Sequence, residues 1–311
     1  MRIPFATLDV FTDRPFGGNP LAIVPDARGL SSSQMQRIAN ELNLSETAFV
    51  LPPENGGARR LRIFTPAREL PFAGHPTVGA ALFLAWRGEL PLRDGAGTVV
   101  LEESVGPVTV DIEARHGRSV SARLTAAQRP VIGPPPPPRE ILAEILSLRP
   151  SDLRQDDLEP AAVSCGVPFV LVPLRDRQAL ARVRLANASW AAHLSSHWAP
   201  SLFVYTFDPE LPDSDVRARM LGPSMGILED PATGAAAVAL AGYLADGEPV
   251  RDGTLRWRIE QGFEMGRPSL LDTEAEKSDG EVVAVRVGGA AVPIAEGTIA
   301  LPPEVDLQGA R

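Results

Sequence analysis

The chain has 311 residues, of which 44% are apolar and 22% are charged, as is typical of a soluble globular protein with room for two domains. Its net charge of −9 disfavours nucleic-acid partners, and its single cysteine, Cys165, excludes an intramolecular disulfide and a Cys-rich zinc site. Because the sequence has neither a signal peptide nor an apolar run of about 18 residues, it predicts a cytoplasmic protein with no membrane partner.

The first half of the chain is predicted to alternate short strands with two helices. Segment 31–42 begins with serines suited to N-capping and repeats apolar residues at helical spacing from Met35 to Leu42, which predicts an amphipathic helix. Segment 76–86 is apolar on nearly every side, which indicates a buried helix. Strands are predicted at 5–11, 21–24, 47–51, 61–64, 98–101 and 108–113.

The second half begins after five consecutive prolines at 134–138, which cannot lie inside a sheet and predict a domain boundary. We therefore expect a first domain over 1–130 with Glu46 and His75, a second over 131–300 with Asp230, and a tail over 301–311. A C-terminal strand is expected to cross back to the first domain. Helices are predicted at 139–148, 178–184 and 235–245, and strands within 161–173 and at 201–206, 255–260 and 282–287.

Two short matches indicate an internal repeat. GNPLAIVP at 18–25 matches GVPFVLVP at 166–173, and PFAG at 71–74 matches PATG at 231–234, in the same order along the chain. A duplicated βα unit explains both matches. Each copy would wrap strands around one apolar helix, and a cleft would separate the copies.

The two apolar helices begin near Gly74 and Gly234. A helix N-terminus presents free N–H groups and a partial positive charge, and glycine lets a ligand approach the backbone closely. Both helix starts could therefore bind one substrate carboxylate in the cleft. The alternative is that each glycine serves only a tight turn.

Three side chains near these turns are candidates for proton transfer. His75 follows Gly74 at a helix N-terminus, where the neutral imidazole is favoured. Glu46 precedes an apolar strand and could act as general acid or base if it is buried. Asp230 precedes the second turn, and the symmetry of the repeat could bring it beside His75. The alternatives are a structural His75, an exposed turn glutamate at Glu46 and a turn-capping Asp230.

The remaining polar motifs carry less chemistry. Glu229 is a weaker acid–base candidate, and His193 and His197 stand four apart but lack a clear third metal ligand, which favours a surface role. The sequence contains no Walker loop and no GxGxxG after a strand. GPSMG at 222–226 is not a nucleophile elbow, because a proline follows its first glycine. No cofactor and no metal are predicted.

Four segments together resemble the PhzF-like family, named for an isomerase of phenazine biosynthesis. They are DVFTDRPFGGNPLAIV at 9–24, ELNLSETAFV at 41–50, FTPARELPFAGHPTVGAA at 64–81 and EDPATGAAA at 229–237, in family order. The resemblance implies an α/β (α+β) fold of the diaminopimelate epimerase-like type. In it, two pseudo-symmetric domains each curve a sheet around a central helix, with the site between them. It also implies a homodimer that needs no cofactor or metal.

The resemblance further assigns roles to matching residues. Glu46 would move a proton between carbons of a substrate such as trans-2,3-dihydro-3-hydroxyanthranilate, with His75 and Asp230 in support. The phenazine enzyme has a serine where this chain has an alanine after PATG. One lost hydrogen bond costs about 0.5–1.5 kcal/mol, which argues against the phenazine substrate itself. The implied substrate-binding residues are Asn19, Ser45, Gly74, Thr233, Gly234 and Ala235.

Three functions remain open from the sequence. The first is a cofactor-independent isomerase that moves a proton within a small carboxylate-bearing substrate, with Glu46 as general acid/base. The second is a racemase or epimerase of a small amino or hydroxy acid, although a two-thiol version is excluded because neither helix start carries a cysteine. The third is a non-catalytic binding protein on the same scaffold.

Overall fold

The chain is described by a computed structural model over residues 2–156 and 158–301. It divides into two compact units. Unit 1 comprises Met1–Phe16, Pro20–Ala122 and Ala290–Arg311, and unit 2 comprises Gly17–Asn19 and Arg123–Gly289. The boundary thus falls before the five prolines, which lie within unit 2 and lead into a helix. Of the predicted tail, all but Leu301 lies outside the described residues.

The elements up to residue 125 mostly build unit 1, and the predicted helices and strands of this half are confirmed with shifted ends. Gly74 and His75 already belong to the buried helix, so Pro76 occupies its third position rather than its first. The elements are β1 (Arg2–Val10), β2 (Asn19–Val24), α1 (Ser32–Leu42), β3 (Glu46–Leu51), β4 (Arg59–Phe64), β5 (Glu69–Leu70), α2 (Gly74–Trp86), β6 (Gly97–Glu103), β7 (Gly106–Arg115) and β8 (Arg118–Thr125).

The elements from residue 131 to 289 build unit 2, and β18 (Ala291–Ala300) follows them. In unit 1, β18 pairs antiparallel with β1 along nearly its whole length. The elements of unit 2 are β9 (Val131–Ile132), α3 (Arg139–Ile145), β10 (Ala161–Ser164), β11 (Pro168–Pro173), α4 (Arg177–Arg182), α5 (Asn187–His193), β12 (Ser201–Thr206), β13 (Val216–Gly222), β14 (Ile227–Asp230), α6 (Gly234–Gly247), β15 (Gly253–Gln261), β16 (Ser269–Ser278) and β17 (Glu281–Gly289).

Strand pairing confirms the predicted internal repeat. In unit 1, β2 runs parallel to β3, β3 antiparallel to β4, β4 parallel to β6, and β6 antiparallel to β7. In unit 2, β11, β12, β13, β15 and β16 pair in the same sequence of directions. The mixed α/β class predicted from the sequence is therefore confirmed.

The register of these pairs shows which residues correspond in the two copies. Leu21 of β2 lies opposite Glu46, and Phe169, its match in the repeat, lies opposite Ser201 of β12. Ser201 therefore stands where the first copy has Glu46. By the same comparison, the position of Asp230 at the end of β14 is held by a leucine at the end of β5.

Each unit buries one apolar helix against its own strands. In unit 1, α2 packs against β1, β3, β7 and β18, and in unit 2, α6 packs against β10, β11, β15, β16 and β17. The contact of α2 is close, because a Cβ on Gly79 would lie only 2.5 Å from a methyl carbon of Leu21. Among the described residues, no helix combines the length and apolar character needed to cross a bilayer.

Candidate active site

Glu46 is positioned by the end of α1. This helix begins with a capping box between Ser31 and Gln34 and ends at Asn43, which adopts the left-handed conformation with φ 50° and ψ 34°. The chain then turns through the half-buried Ser45, and β3 starts with Glu46. Because β3 is buried, the carboxyl at its first residue is buried as well, with 9% of the residue exposed.

His75 lies beside Glu46 in unit 1. It is the second residue of α2, and its Nε2 lies 3.3 Å from Oε2 of Glu46. The ring also hydrogen-bonds to the backbone of Pro20, which has only a carbonyl to offer as acceptor. Since Nε2 has no hydrogen-bond partner within residues 2–156 and 158–301, Nδ1–H donates to that carbonyl. Nε2 therefore presents a lone pair to Glu46.

The imidazole of His75 is neutral at physiological pH. Burial lowers its pKa to about 3, and the bond to Pro20 only partly opposes that effect. The neutral ring agrees with the expectation from the sequence, although burial, rather than the helix N-terminus, lowers the pKa of His75. The contact of Glu46 with His75 is thus between a carboxyl group and a neutral ring, not an ion pair.

Both repeat helices start without a side-chain cap. The residues before them, Ala73 and Thr233, make no capping hydrogen bond to their helices. The first-turn N–H groups at Gly74 and His75 in unit 1, and at Gly234 in unit 2, are therefore not satisfied by a capping side chain. Such N–H groups suit a carboxylate.

Asp230 is braced within unit 2. Its Oδ1 accepts a 2.9 Å hydrogen bond from Nδ2 of Asn19, and its Oδ2 accepts a 2.5 Å bond from the hydroxyl of Thr233. Burial raises the pKa of Asp230 to about 6, against the effect of these two bonds. Asn19 also donates to the carbonyl of Ala232 at 3.0 Å. The predicted residues of this turn therefore form one network, beside the half-buried Ala235 in the first turn of α6.

Gln261 completes this network and was missed by the sequence analysis. It is fully buried at the end of β15. Its Oε1 accepts the N–H of Thr233 at 3.0 Å, and its Nε2 donates to the carbonyl of Asp230 at 2.7 Å and to the hydroxyl of Thr233 at 2.9 Å. A glutamine ending an alternating strand gives no sequence signal of such a role, because the role depends on strand register.

Glu229, the weaker candidate, is held in a partly buried ion pair. Arg219 donates to its two carboxyl oxygens at 2.7 and 2.8 Å. The same guanidinium also donates to the carbonyls of Leu180 and Val183. A bidentate pair of this kind explains Glu229 as a structural residue. It also explains why β13 was missed, since its arginines interrupt the apolar pattern of a strand.

The other candidates stay apart from both networks. His193 ends α5, and the Nε2 of His197 lies 3.2 Å from the carbonyl of Pro135. Burial raises the pKa of the Cys165 thiol to about 12, which makes it a poor nucleophile. Segment 222–226 contains a 3₁₀ turn between β13 and β14. Within the described ranges, no group of three or more His, Cys, Asp or Glu side chains is arranged to hold a metal ion.

The structure thus groups the predicted residues by unit. Gly74, His75 and Glu46 lie together in unit 1, and Asn19, Asp230 and Thr233 lie together in unit 2. That both groups serve one substrate stays a prediction.

Comparison with known proteins gives consistent matches over most of the chain. The family model for phenazine biosynthesis-like proteins, PhzC-PhzF, matches residues 8–297. An uncharacterized isomerase of Mesorhizobium japonicum is 42% identical over 295 residues, covering 94% of this chain and 96% of that protein. The trans-2,3-dihydro-3-hydroxyanthranilate isomerase of Pseudomonas chlororaphis is 35% identical over 314 residues, covering 96% and 99%.

A solved structure confirms the fold class. The crystal structure of a Bacillus anthracis phenazine biosynthesis protein of the PhzF family matches with a TM-score of 0.86 at 27% identity, covering 97% of this chain and 100% of that chain. The diaminopimelate epimerase-like fold expected from the sequence is therefore confirmed.

Proposed function

The chain belongs to the family of phenazine biosynthesis-like proteins, and from that premise we propose that it is a cofactor-independent isomerase. It moves a proton within a small carboxylate-bearing substrate, and Glu46 is the general acid/base. The observation that carries this proposal is the buried carboxyl of Glu46 at 3.3 Å from a neutral imidazole. Relatives described as isomerases support the reaction class.

The neutral ring of His75 suits a carboxyl that must both take and return a proton. With a pKa of about 3, the imidazole does not remove the proton from the carboxyl of Glu46. Its Nε2 lone pair can instead accept a hydrogen bond from the protonated acid and orient it. The electron pair of the broken C–H bond stays in the conjugated substrate, and the same proton returns from Glu46 to a different carbon.

The remaining predicted residues bind or position the substrate in this proposal. The uncapped N–H groups at Gly74 and Gly234 receive its carboxylate. Asn19, Ser45, Thr233 and Ala235 line the binding site. Asp230 supports the reaction by fixing the side chains that donate to it, because both of its oxygens already accept hydrogen bonds.

A racemase with two opposed bases fits the repeat less well. The counterparts of Glu46 and His75 in the second copy are Ser201 and Ala235, so one copy alone has a carboxyl beside an imidazole. A non-catalytic binding protein has no evident use for such a buried pair, which costs free energy to desolvate.

The test is Glu46→Gln, which keeps the size of the side chain but cannot carry the proton. We expect turnover of trans-2,3-dihydro-3-hydroxyanthranilate or another small conjugated carboxylate to fall by about 10³-fold, as measured by product formation.

The matched control is Glu41→Gln, which changes an exposed carboxyl on α1. It should leave turnover unchanged, and circular dichroism should show that both variants are folded. Full turnover by Glu46→Gln would overturn the proposal. The predicted homodimer stays a prediction, which sedimentation velocity tests.

A further inference from the structure

Glu103 is the last residue of β6 and lies against the start of α2. Its side chain is buried. Its Oε1 lies 2.5 Å from the hydroxyl oxygen of Thr77 in the first turn of the helix, and its carboxyl accepts the backbone N–H of Ala73, the residue before the helix. Beside it, the N–H of Val105 donates to the carbonyl of Pro71 at 3.0 Å. The end of β6 therefore holds both the loop and the first turn of α2.

Counting hydrogens at Thr77 places a proton on Glu103. The hydroxyl oxygen of Thr77 lies 2.7 Å from the carbonyl oxygen of Ala73 as well as 2.5 Å from Glu103, and a hydroxyl has only one hydrogen to donate. The carbonyl can only accept, so the second contact needs a protonated carboxyl as donor. Moreover, Oε2 of Glu103 is buried without a hydrogen-bond partner in the described part of the chain, which would be costly for an ionised group.

The second copy of the repeat has a neutral group in the same place. Leu101 of β6 and Ile259 of β15 hold the same register position against their parallel neighbours, so Glu103 corresponds to Gln261. Gln261 accepts the N–H of Thr233, as Glu103 accepts that of Ala73, and each side chain also contacts a threonine hydroxyl. A carboxamide and a carboxylic acid each offer one acceptor and at least one donor, whereas a carboxylate offers no donor.

We propose that Glu103 is a positioning residue that acts as a neutral carboxylic acid and holds the first turn of α2, so that Gly74 and His75 keep their place beside Glu46. The link to catalysis rests on the proposed function. The protonation state and the contacts of Glu103 do not depend on it.

The electrostatic surroundings agree with this proposal. Burial raises the pKa of Glu103 to about 8, and no charged side chain contributes to the shift. Two titratable side chains on the elements around it, Glu102 and His75, are engaged elsewhere. Glu102 on β6 accepts three backbone N–H groups of a neighbouring loop, which hold its pKa below its usual range, and His75 on α2 faces Glu46.

The experiment is a nuclear magnetic resonance titration of the full chain, labelled with ¹³C at glutamate carboxyls and ¹⁵N at histidine rings. We expect the Glu103 carboxyl to titrate with a midpoint near 8 and the ring signals of His75 to shift with the same midpoint. In Glu103→Gln, the His75 ring signals should match those of the wild type at a pH where Glu103 is protonated. They should then stay constant up to pH 9.5. The signals of His116, in an exposed turn, serve as the internal reference.

Glu102→Gln is the matched control, because it changes the adjacent carboxyl, which is ionised. It should destabilise the fold, yet the ring signals of His75 should still shift with a midpoint near 8. The proposal would be overturned if the Glu103 carboxyl titrated at the midpoint of an ordinary glutamate. It would also be overturned if the His75 signals of Glu103→Gln still shifted with a midpoint near 8. These readouts need no substrate, so they stand apart from a failure of the proposed reaction.

The reverse change tests the same idea in unit 2. Gln261→Glu should introduce a new pH dependence, with the melting temperature falling by on the order of 5 °C as the pH rises from 5.5 to 8.5. The sign follows from a buried acid whose pKa is raised on folding, since its stabilising contribution is lost as the pH rises towards the folded pKa. A melting temperature independent of pH in this variant would contradict the equivalence of the two positions.

Discussion

The two helix starts share a backbone plan but differ in chemistry. At the start of α2, a carboxyl and a neutral imidazole lie together, Glu46 and His75. At the start of α6, the corresponding positions hold Ser201 and Ala235, and the carboxyl present is Asp230, on a different strand. Duplication therefore preserved the buried helix and its strands, whereas the proposed proton-transfer residues belong to one copy only. The difference teaches that the scaffold and the chemistry of this fold vary independently.

The two carboxyl groups also differ in what surrounds them. Asp230 receives a donor on each oxygen, from Asn19 and Thr233, so its bonds hold it in place. At Glu46, the acceptor nitrogen of His75 lies 3.3 Å from Oε2. A carboxyl facing an acceptor gains a hydrogen bond when it is protonated, which is the state that an acid catalyst must reach during each turnover.

The largest effect expected outside the proposed catalytic residues is on the network of unit 2. Gln261→Leu would remove the side-chain hydrogen bonds to the N–H of Thr233 and to the buried carbonyl of Asp230. We expect the free energy of unfolding to fall by about 3 kcal/mol, at about 1–3 kcal/mol for each buried group. Urea denaturation measures this, and Gln178→Leu, at an exposed position on α4, should change stability little. A loss below that of the control would show that the network does not brace the turn.

The next effect concerns the pH dependence of stability. The pKa of His75 is about 3 when folded and about 6.5 when unfolded, so below pH 6.5 the unfolded chain binds a proton that the folded chain does not. Stability from the neutral ring is present above 6.5 and is lost as the pH falls towards 3. We expect His75 to contribute a loss on the order of 2 kcal/mol between pH 6 and 4.5. Because burial raises the pKa of Glu103 and of Asp230, these carboxyls contribute in the opposite direction, so the loss is measured as the difference between wild type and His75→Gln in denaturation at several pH values.

His75→Gln should lack this contribution, so that its stability relative to wild type rises by on the order of 2 kcal/mol as the pH falls from 6 to 4.5. His116→Gln, which changes an exposed turn residue, should retain it. The same pH dependence in wild type and His75→Gln would show that the imidazole of His75 does not contribute to it.

The smallest effect tests the substrate rather than the mechanism. Ala235→Ser restores the hydroxyl that the resemblance assigns to the phenazine enzyme, next to an uncapped helix start. One added hydrogen bond of about 0.5–1.5 kcal/mol corresponds to roughly a 2- to 10-fold gain in kcat/KM for trans-2,3-dihydro-3-hydroxyanthranilate. Steady-state kinetics measures this. An unchanged kcat/KM in Ala235→Ser would argue that trans-2,3-dihydro-3-hydroxyanthranilate is not the natural substrate.

Sequence patterns predicted the parts of the structure that depend on local chemistry. The amphipathic α1, the apolar α2 and α6 and the glycine at each helix start follow from composition and spacing. The roles of Glu103 and Gln261 could not be predicted, because they depend on where strand ends meet distant loops. Likewise, β13 and β16 carry charged residues that hide their strand pattern, and only tertiary ion pairs such as Arg219 with Glu229 explain their burial.

Because β1 pairs with β18, the two units can complete their folding at different stages of synthesis. Apart from three residues, unit 2 is one continuous stretch, Arg123–Gly289, whereas unit 1 needs strands from both ends of the described chain. During synthesis from the N-terminus, unit 2 can close its contacts while unit 1 still lacks the strand Ala291–Ala300. The unit that holds Glu46 and His75 is therefore completed last, after the ribosome has released almost the entire described sequence, and its long-range pairing makes it the slower unit to form.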